Sequence, residues 1–82
     1  MKSYIFSNAI ANRNRVKFLY NLHEIVLEPY FISRNKNGKK VLYGKIIGSN
    51  QIMTFEFDRI CNIKTFSFER FSPVIPIMAS YN

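Results

Sequence analysis

Several residue types are scarce in this chain of 82 residues, and each scarcity argues against a class of protein. A single cysteine excludes an intrachain disulfide, and one cysteine with one histidine is too few for a zinc site built from these ligands. No apolar run approaches the ~20 residues of a membrane-spanning helix. The first eight residues lack the apolar segment of a secretory signal peptide. We therefore expect a cytoplasmic protein without membrane attachment, metal ion or cofactor.

The composition that remains is that of one small folded domain. Hydrophobic residues make up 48% of the chain and charged residues 21%, a balance typical of folded soluble proteins. Eight phenylalanines and five tyrosines supply large buried areas for so short a chain. We expect a single domain over residues 1–82, with a helix over 1–14, a barrel over 15–68 and an extended apolar tail over 69–82.

Positive charge is in excess and unevenly distributed. Twelve lysines and arginines against five acidic residues give a formal net charge of +7, which favours anionic partners such as nucleic acid or nucleotides. The alternative is a solvated surface whose charge only maintains solubility. The basic residues form two clusters in the sequence: Arg13, Arg15 and Lys17, then Arg34, Lys36, Lys39, Lys40 and Lys45.

The N-terminal segment has the spacing of a short helix. Ser3 is a suitable N-cap residue, and the pattern extends to Asn12 before Asn12-Arg13-Asn14 breaks it. Spacings of four residues place the apolar side chains on one face. That face consists of Ile5, Phe6, Ala9 and Ile10.

The period then changes from about four to two, which indicates strands. Val16, Phe18 and Tyr20 alternate with polar or exposed neighbours, as in a strand with one wet face. A second strand bends near Pro29, and because proline cannot donate to a sheet ladder, its position predicts an edge strand or a bulge. Asn21-Leu22-His23 is a further turn.

Later turns divide the rest of the chain into three more strands. Asn37-Gly38 favours a type I′ turn, which predicts a tight hairpin between 30–34 and 40–47. Gly48-Ser49-Asn50 marks the next turn, and Asp58-Arg59 interrupts the strand that follows. We therefore predict a mainly β fold: a short N-terminal helix followed by a five-stranded antiparallel small barrel.

The order of these signals resembles the WYL domain, a family of bacterial regulatory domains with an Sm-like small barrel. The resemblance implies a non-enzymatic module that senses nucleic-acid or nucleotide ligands in transcription regulation or phage defence. Arg59 is the family-type basic position that this chain retains. The matching landmarks are Ala9-Ile10, Phe18-Leu19-Tyr20, Glu28-Pro29-Tyr30, Val41-Leu42-Tyr43-Gly44, Thr54 to Ile60, and Phe71-Ser72-Pro73.

Binding of nucleic acid by a small barrel requires cations beside exposed rings, since bases stack on the rings while lysine and arginine follow the phosphates. For each tyrosine the alternative is a place in the core, and for Arg59 it is a salt bridge with Asp58 or Glu56. The predicted binding residues are Tyr20, Tyr30, Tyr43, Arg13, Arg15, Lys36, Lys39, Lys40, Lys45 and Arg59.

Catalytic constellations are nearly absent from the sequence. Cys61 lies in an apolar strand, where free cysteine usually behaves as a small buried hydrophobe, and a nucleophile pair with His23 needs a proximity that nothing local predicts. We expect no enzyme. The alternative function is a protein-interaction module or a small homo-oligomer, such as a homodimer, that uses exposed aromatic side chains and the C-terminal tail.

Overall fold

A computed structural model describes residues 1–49 and 51–71 of the chain, and the side chains of 68–70 are outside that description. The predicted apolar tail beyond Phe71 therefore lies outside the described residues. The last strand runs two residues further than the sequence predicted. In chain order the elements are helix α1 (Lys2–Asn12), strands β1 (Asn14–Tyr20), β2 (His23–Arg34), β3 (Lys40–Ile46) and β4 (Ile52–Glu56), a 3₁₀ turn (Phe57–Arg59) and strand β5 (Ile60–Arg70).

The five strands form one antiparallel sheet in the order β4-β3-β2-β1-β5. The mainly β class, the N-terminal helix and the five antiparallel strands are thus confirmed. Within the described residues β4 and β5 are the two edges, and the sheet is not closed. One side-chain bond spans part of the gap, because the backbone N–H of Glu56 on β4 donates to the hydroxyl of Tyr20 on β1 over 3.1 Å.

Helix α1 packs on the sheet through the apolar face that the sequence predicted. Phe6 and Ala9 are buried, and the Phe6 ring makes edge-on contacts with Phe18 at 6.1 Å and Phe57 at 5.3 Å between centroids. Such contacts stabilise beyond the area they bury. In the described residues the core consists of Phe6, Ala9, Val16, Phe18, Leu27, Leu42, Phe55, Phe57 and Ile60.

The two ends of α1 differ from each other in how they are formed. The predicted Ser3 cap is wrong, since Met1 occupies the N-cap position without a side-chain cap bond. Ser3 lies in the first turn, where its hydroxyl accepts from Lys40 Nζ at 2.9 Å. The helix ends where expected, because Arg13 takes the left-handed conformation (φ 56°) that closes many helices.

A β-bulge explains how proline is tolerated inside the sheet. Pro29 pairs with Gly44 on β3 and the register shifts before Phe31, so the predicted bulge is confirmed. The edge alternative is wrong, since β2 is the central strand. Gly44 is required there: a Cβ at this position would lie 2.6 Å from the carbonyl oxygen of Glu28 and 2.6 Å from Leu27 Cδ2.

The tight type I′ geometry occurs at a different turn from the one predicted. Asn21 and Leu22 join β1 to β2 with φ angles of 51° and 70°, as that turn requires. Between β2 and β3 the connection is a five-residue loop in which only Gly38 has positive φ. The side chain of Asn35 sets this loop by accepting from the backbone N–H groups of Asn37 and Lys39.

Candidate nucleic-acid interface

The 3₁₀ turn brings basic residues from distant parts of the chain to one end of the molecule. Lys2 Nζ donates to the Phe57 carbonyl at 2.6 Å, and Lys40 Nζ lies 5.9 Å above the centre of the Phe57 ring. Lys39 Nζ lies 3.4 Å from Asp58 Oδ2. With the β2–β3 loop these contacts define what we call the basic end. It consists of Lys2, Arg34, Lys36, Lys39, Lys40 and Arg59, together with the acidic residues Glu56 and Asp58.

Carboxylates neutralise only part of the basic end. Asp58 pairs with Lys39, while Glu56 accepts from the amide of Asn35 at 3.2 Å. The alternative pairing of Arg59 with either carboxylate is not observed. Lys36 and Arg59 are exposed and make no hydrogen bond or ion pair with other residues that the structure describes. Six cations against two carboxylates leave a strong positive field over a short distance.

Two predicted binding cations, Arg15 and Lys45, lie outside the basic end and form ion pairs with Glu28. On the outer face of the sheet, away from α1, Arg15 Nη2 lies 3.2 Å and Lys45 Nζ 3.8 Å from the carboxylate of Glu28. Glu28 is only 6% exposed, and its flanking cations come from the two strands that border β2. We call these three residues the charge network. Because a buried carboxylate without partners is costly, their first role is structural.

The predicted tyrosines do not meet in one binding surface. Tyr20 is half-buried, with its hydroxyl bound by the Glu56 N–H and its ring edge-on to Phe55 at 5.0 Å. Tyr30 is buried against Phe71. Tyr43 is also half-buried and stacks at 4.4 Å and 20° on Phe31, which is 42% exposed and outside the core. The core alternative therefore describes Tyr30, which is buried, and Tyr20, which packs against the core.

Arg13 occupies a third location, at the end of α1. Its backbone carbonyl accepts from the N–H of Phe71 at 3.1 Å. The guanidinium is exposed and makes no ion pair or hydrogen bond within the described ranges 1–49 and 51–71. The first basic cluster of the sequence is thus divided, since Arg13 is available to a ligand while Arg15 belongs to the charge network.

The side chains with nucleophilic or metal-binding chemistry are scattered. Cys61 is exposed, so its predicted burial is wrong: it lies on the edge strand β5. Nδ1 of His23 donates to the backbone carbonyl oxygen of Asn21 over 3.0 Å. Among the described residues no three of His, Cys, Asp and Glu come together in a group that can hold a metal ion.

Sequence reasoning missed Lys2 as a member of the basic end. Lys2 and Phe57 are 55 residues apart in the chain, and no local pattern connects them. Arg34 was recognised as part of a basic cluster but not as a binding residue. It is the last residue of β2, and its Nη1 donates to the Gly38 carbonyl in the adjoining loop at 2.7 Å. The only available signal was the density of lysine and arginine around 34–40.

Comparison with known proteins identifies no relative: no family model, no curated protein and no solved structure matches this chain. The WYL resemblance therefore stays a prediction. In the described part of the chain, no helix has the length and apolar character needed to cross a membrane.

Proposed function

We propose that this chain is a non-enzymatic, cytoplasmic module that binds single-stranded nucleic acid, with the basic end as its phosphate-binding surface. The observation that carries the proposal is the convergence of Lys2, Lys39 and Lys40 on the 3₁₀ turn, with Lys36 and Arg59 left without protein partners in the described structure. Exposed cations without partners lose little when they bind phosphate, and counterion release favours the complex.

The proposal extends to the fold family. A helix before five antiparallel strands, a bulged central strand and a 3₁₀ turn between β4 and β5 support a small Sm-like barrel of the WYL type. The family-type residue Arg59 lies in that 3₁₀ turn. Under this proposal the module regulates a partner or a transcription or defence system according to the strand or nucleotide that it binds.

Anisotropy titrations of labelled oligo(dT) over a range of salt concentrations test the proposed interface. We expect the wild-type affinity to rise as salt falls. In a double variant, Lys36→Gln with Arg59→Gln, the slope of log K against log salt should flatten by up to ~1.4, since each lost single-strand contact contributes ~0.7. The melting temperature should hardly change, because neither side chain has a partner among the described residues.

A charge-matched control separates the basic end from net charge. The double variant Lys17→Gln with Lys64→Gln removes the same charge from the outer face, where these residues pair across β1 and β5, and its slope should match the wild type. Equal flattening in both variants would show that net charge alone attracts the strand. Absence of binding at low salt would refute nucleic-acid binding.

The alternative function, self-association, is supported by the β4 edge. β4 has no strand paired to its outer edge in the described structure, and Ile52 and Met53 are 37% and 40% exposed. Exposed edge strands pair readily with other chains. If β4 mediates a homodimer, light scattering should give a dimer for wild type and a monomer for Met53→Lys. A monomeric wild type at all concentrations would exclude this function.

A further inference from the structure

A cavity of about 200 Å³ lies between helix α1 and the start of the sheet, apart from both the basic end and the charge network. Thr65 on the edge strand β5 and Asn14 at the start of β1 form one side. Asn14 pairs with Arg70 but Arg15 pairs with Phe66, so three residues of β5 lie unpaired between them. The cavity is lined by Tyr4, Ile5, Asn8, Ala9, Asn12, Asn14 and Thr65.

The helix side of the cavity follows from helical spacing. Tyr4, Asn8 and Asn12 are four residues apart and form one ridge, while Ile5 and Ala9 form the ridge beside it. Ala9 is buried and Tyr4 is 71% exposed, so an apolar floor leads to an aromatic ring at the mouth.

The amides that line the cavity are neutral and have no hydrogen-bond partner among the described residues. None of Asn8, Asn12 and Asn14 makes a side-chain hydrogen bond with the residues described. No buried side-chain polar atom of those residues lacks a partner, so the three amides are accessible from the cavity. Each amide offers donors and an acceptor, and no lining residue is charged. The cavity therefore suits an uncharged ligand with apolar faces and polar edges.

We propose that this cavity receives one unstacked nucleobase of a bound single strand, an inference that rests on the proposed function. A base has two flat faces for Ile5 and Tyr4 and a polar edge for the asparagine amides, and asparagine pairs well with adenine. Arg13 lies between Asn12 and Asn14 in the sequence, is exposed, and has no partner in the described structure. Its guanidinium supplies the contact to the phosphate of the same nucleotide.

An abasic strand distinguishes the base site from the phosphate surface. It carries the phosphates of oligo(dA) but no bases, so the basic end should bind it while the cavity stays empty. We expect oligo(dA) to bind wild type about tenfold more tightly than an abasic strand of equal length, the effect of about one stacked base. Anisotropy titrations of both strands at one salt concentration measure the ratio.

Substitutions on the helix ridge test whether Asn8 and Asn12 contact the base. Asn8→Ala with Asn12→Ala should lower oligo(dA) affinity toward the abasic value and leave abasic binding unchanged. Alanine favours the helix at both positions, so folding should be retained. Ser7→Ala, an exposed position on the same helix outside the lining, is the matched control and should change neither affinity.

The outcomes separate the two proposals. If the abasic strand and oligo(dA) bind equally and with salt dependence, the base site is refuted and the phosphate surface stands. If neither strand binds, the phosphate surface is refuted. The base site is then tested by adding adenosine and recording NMR spectra: shifts of the asparagine side-chain amide signals support the base site, and their absence refutes it. Shifts with glucose but not adenosine would assign the cavity to a neutral sugar and overturn the inference.

Discussion

The charge network and the basic end use the same residue types with opposite results. In the network, Arg15 and Lys45 approach one buried carboxylate from the strands on either side of it. At the basic end, cations outnumber carboxylates and Arg59 has no protein partner in the described residues. Charge in the network therefore serves the fold, whereas charge at the basic end is available to a ligand. The comparison shows that sheet register, rather than clustering in the sequence, decides which cations remain available.

The largest expected effect comes from the backbone beneath the charge network. Gly44→Ala places a Cβ 2.6 Å from the Glu28 carbonyl oxygen, and a backbone atom cannot move aside at little cost. We expect a loss of about 3 kcal/mol in the free energy of unfolding, measured by urea denaturation. Oligo(dT) affinity of the folded fraction should be unchanged, because the basic end is untouched.

A glycine of the basic end provides the contrasting control. Gly38 has nothing within 4 Å of an added Cβ, and its φ of +79° is its only constraint. Gly38→Ala should therefore cost about 1 kcal/mol, the strain of a left-handed residue. Equal losses at Gly38 and Gly44 would contradict the close approach on which the bulge depends.

An intermediate effect is expected when the buried carboxylate loses its charge. Glu28→Gln keeps the shape of the side chain but removes the buried negative charge that Arg15 and Lys45 both approach. Both cations are partly exposed, at 30% and 28% of their side-chain areas, so solvent reduces the loss. We expect about 1–2 kcal/mol by thermal or urea unfolding.

The exposed ion pair of Lys17 and Glu24 provides a comparison for the stability loss expected at Glu28. Its Nζ and Oε2 atoms are 3.5 Å apart, with side chains 36% and 63% exposed. Glu24→Gln removes the same charge and should change stability by less than about 0.5 kcal/mol. If both substitutions cost the same, Glu28 is no more structural than a surface residue, and the contrast between the two regions fails.

Local patterns predicted the elements well and their contacts poorly. The alternation of Val16, Phe18 and Tyr20 gave the inner face of β1, and Asp58-Arg59 gave the break before β5, because both depend on neighbouring residues. The Asn37-Gly38 turn failed because the side chain of Asn35 binds two N–H groups and extends the loop. A rule based on the two central residues of a turn does not include such a side-chain interaction from a neighbouring residue.

The candidate site depended even more on tertiary structure. Lys36 and Lys45 are indistinguishable in the sequence cluster, but only Lys45 lies opposite Glu28 in the β2–β3 register. Cys61 was predicted to be buried, but it is exposed because β5 is an edge strand. Strand order and the bulge register are set by the whole sheet, so no single segment reveals them.

A stabilising substitution is expected at the Asn21-Leu22 turn, which lies away from both regions and sets the scale for changes unrelated to charge. Leu22 is 92% exposed and holds φ 70°, a conformation that costs a residue with a Cβ about 1–2 kcal/mol. Glycine removes that strain but loses part of the gain to a more flexible unfolded chain. Leu22→Gly should therefore stabilise the protein by up to about 1 kcal/mol, raising the melting temperature by ~4–8 °C at that limit. Leu22→Ala keeps the strain and should show no gain; an equal rise for alanine would mean that exposure of leucine, not its backbone angle, was the cause.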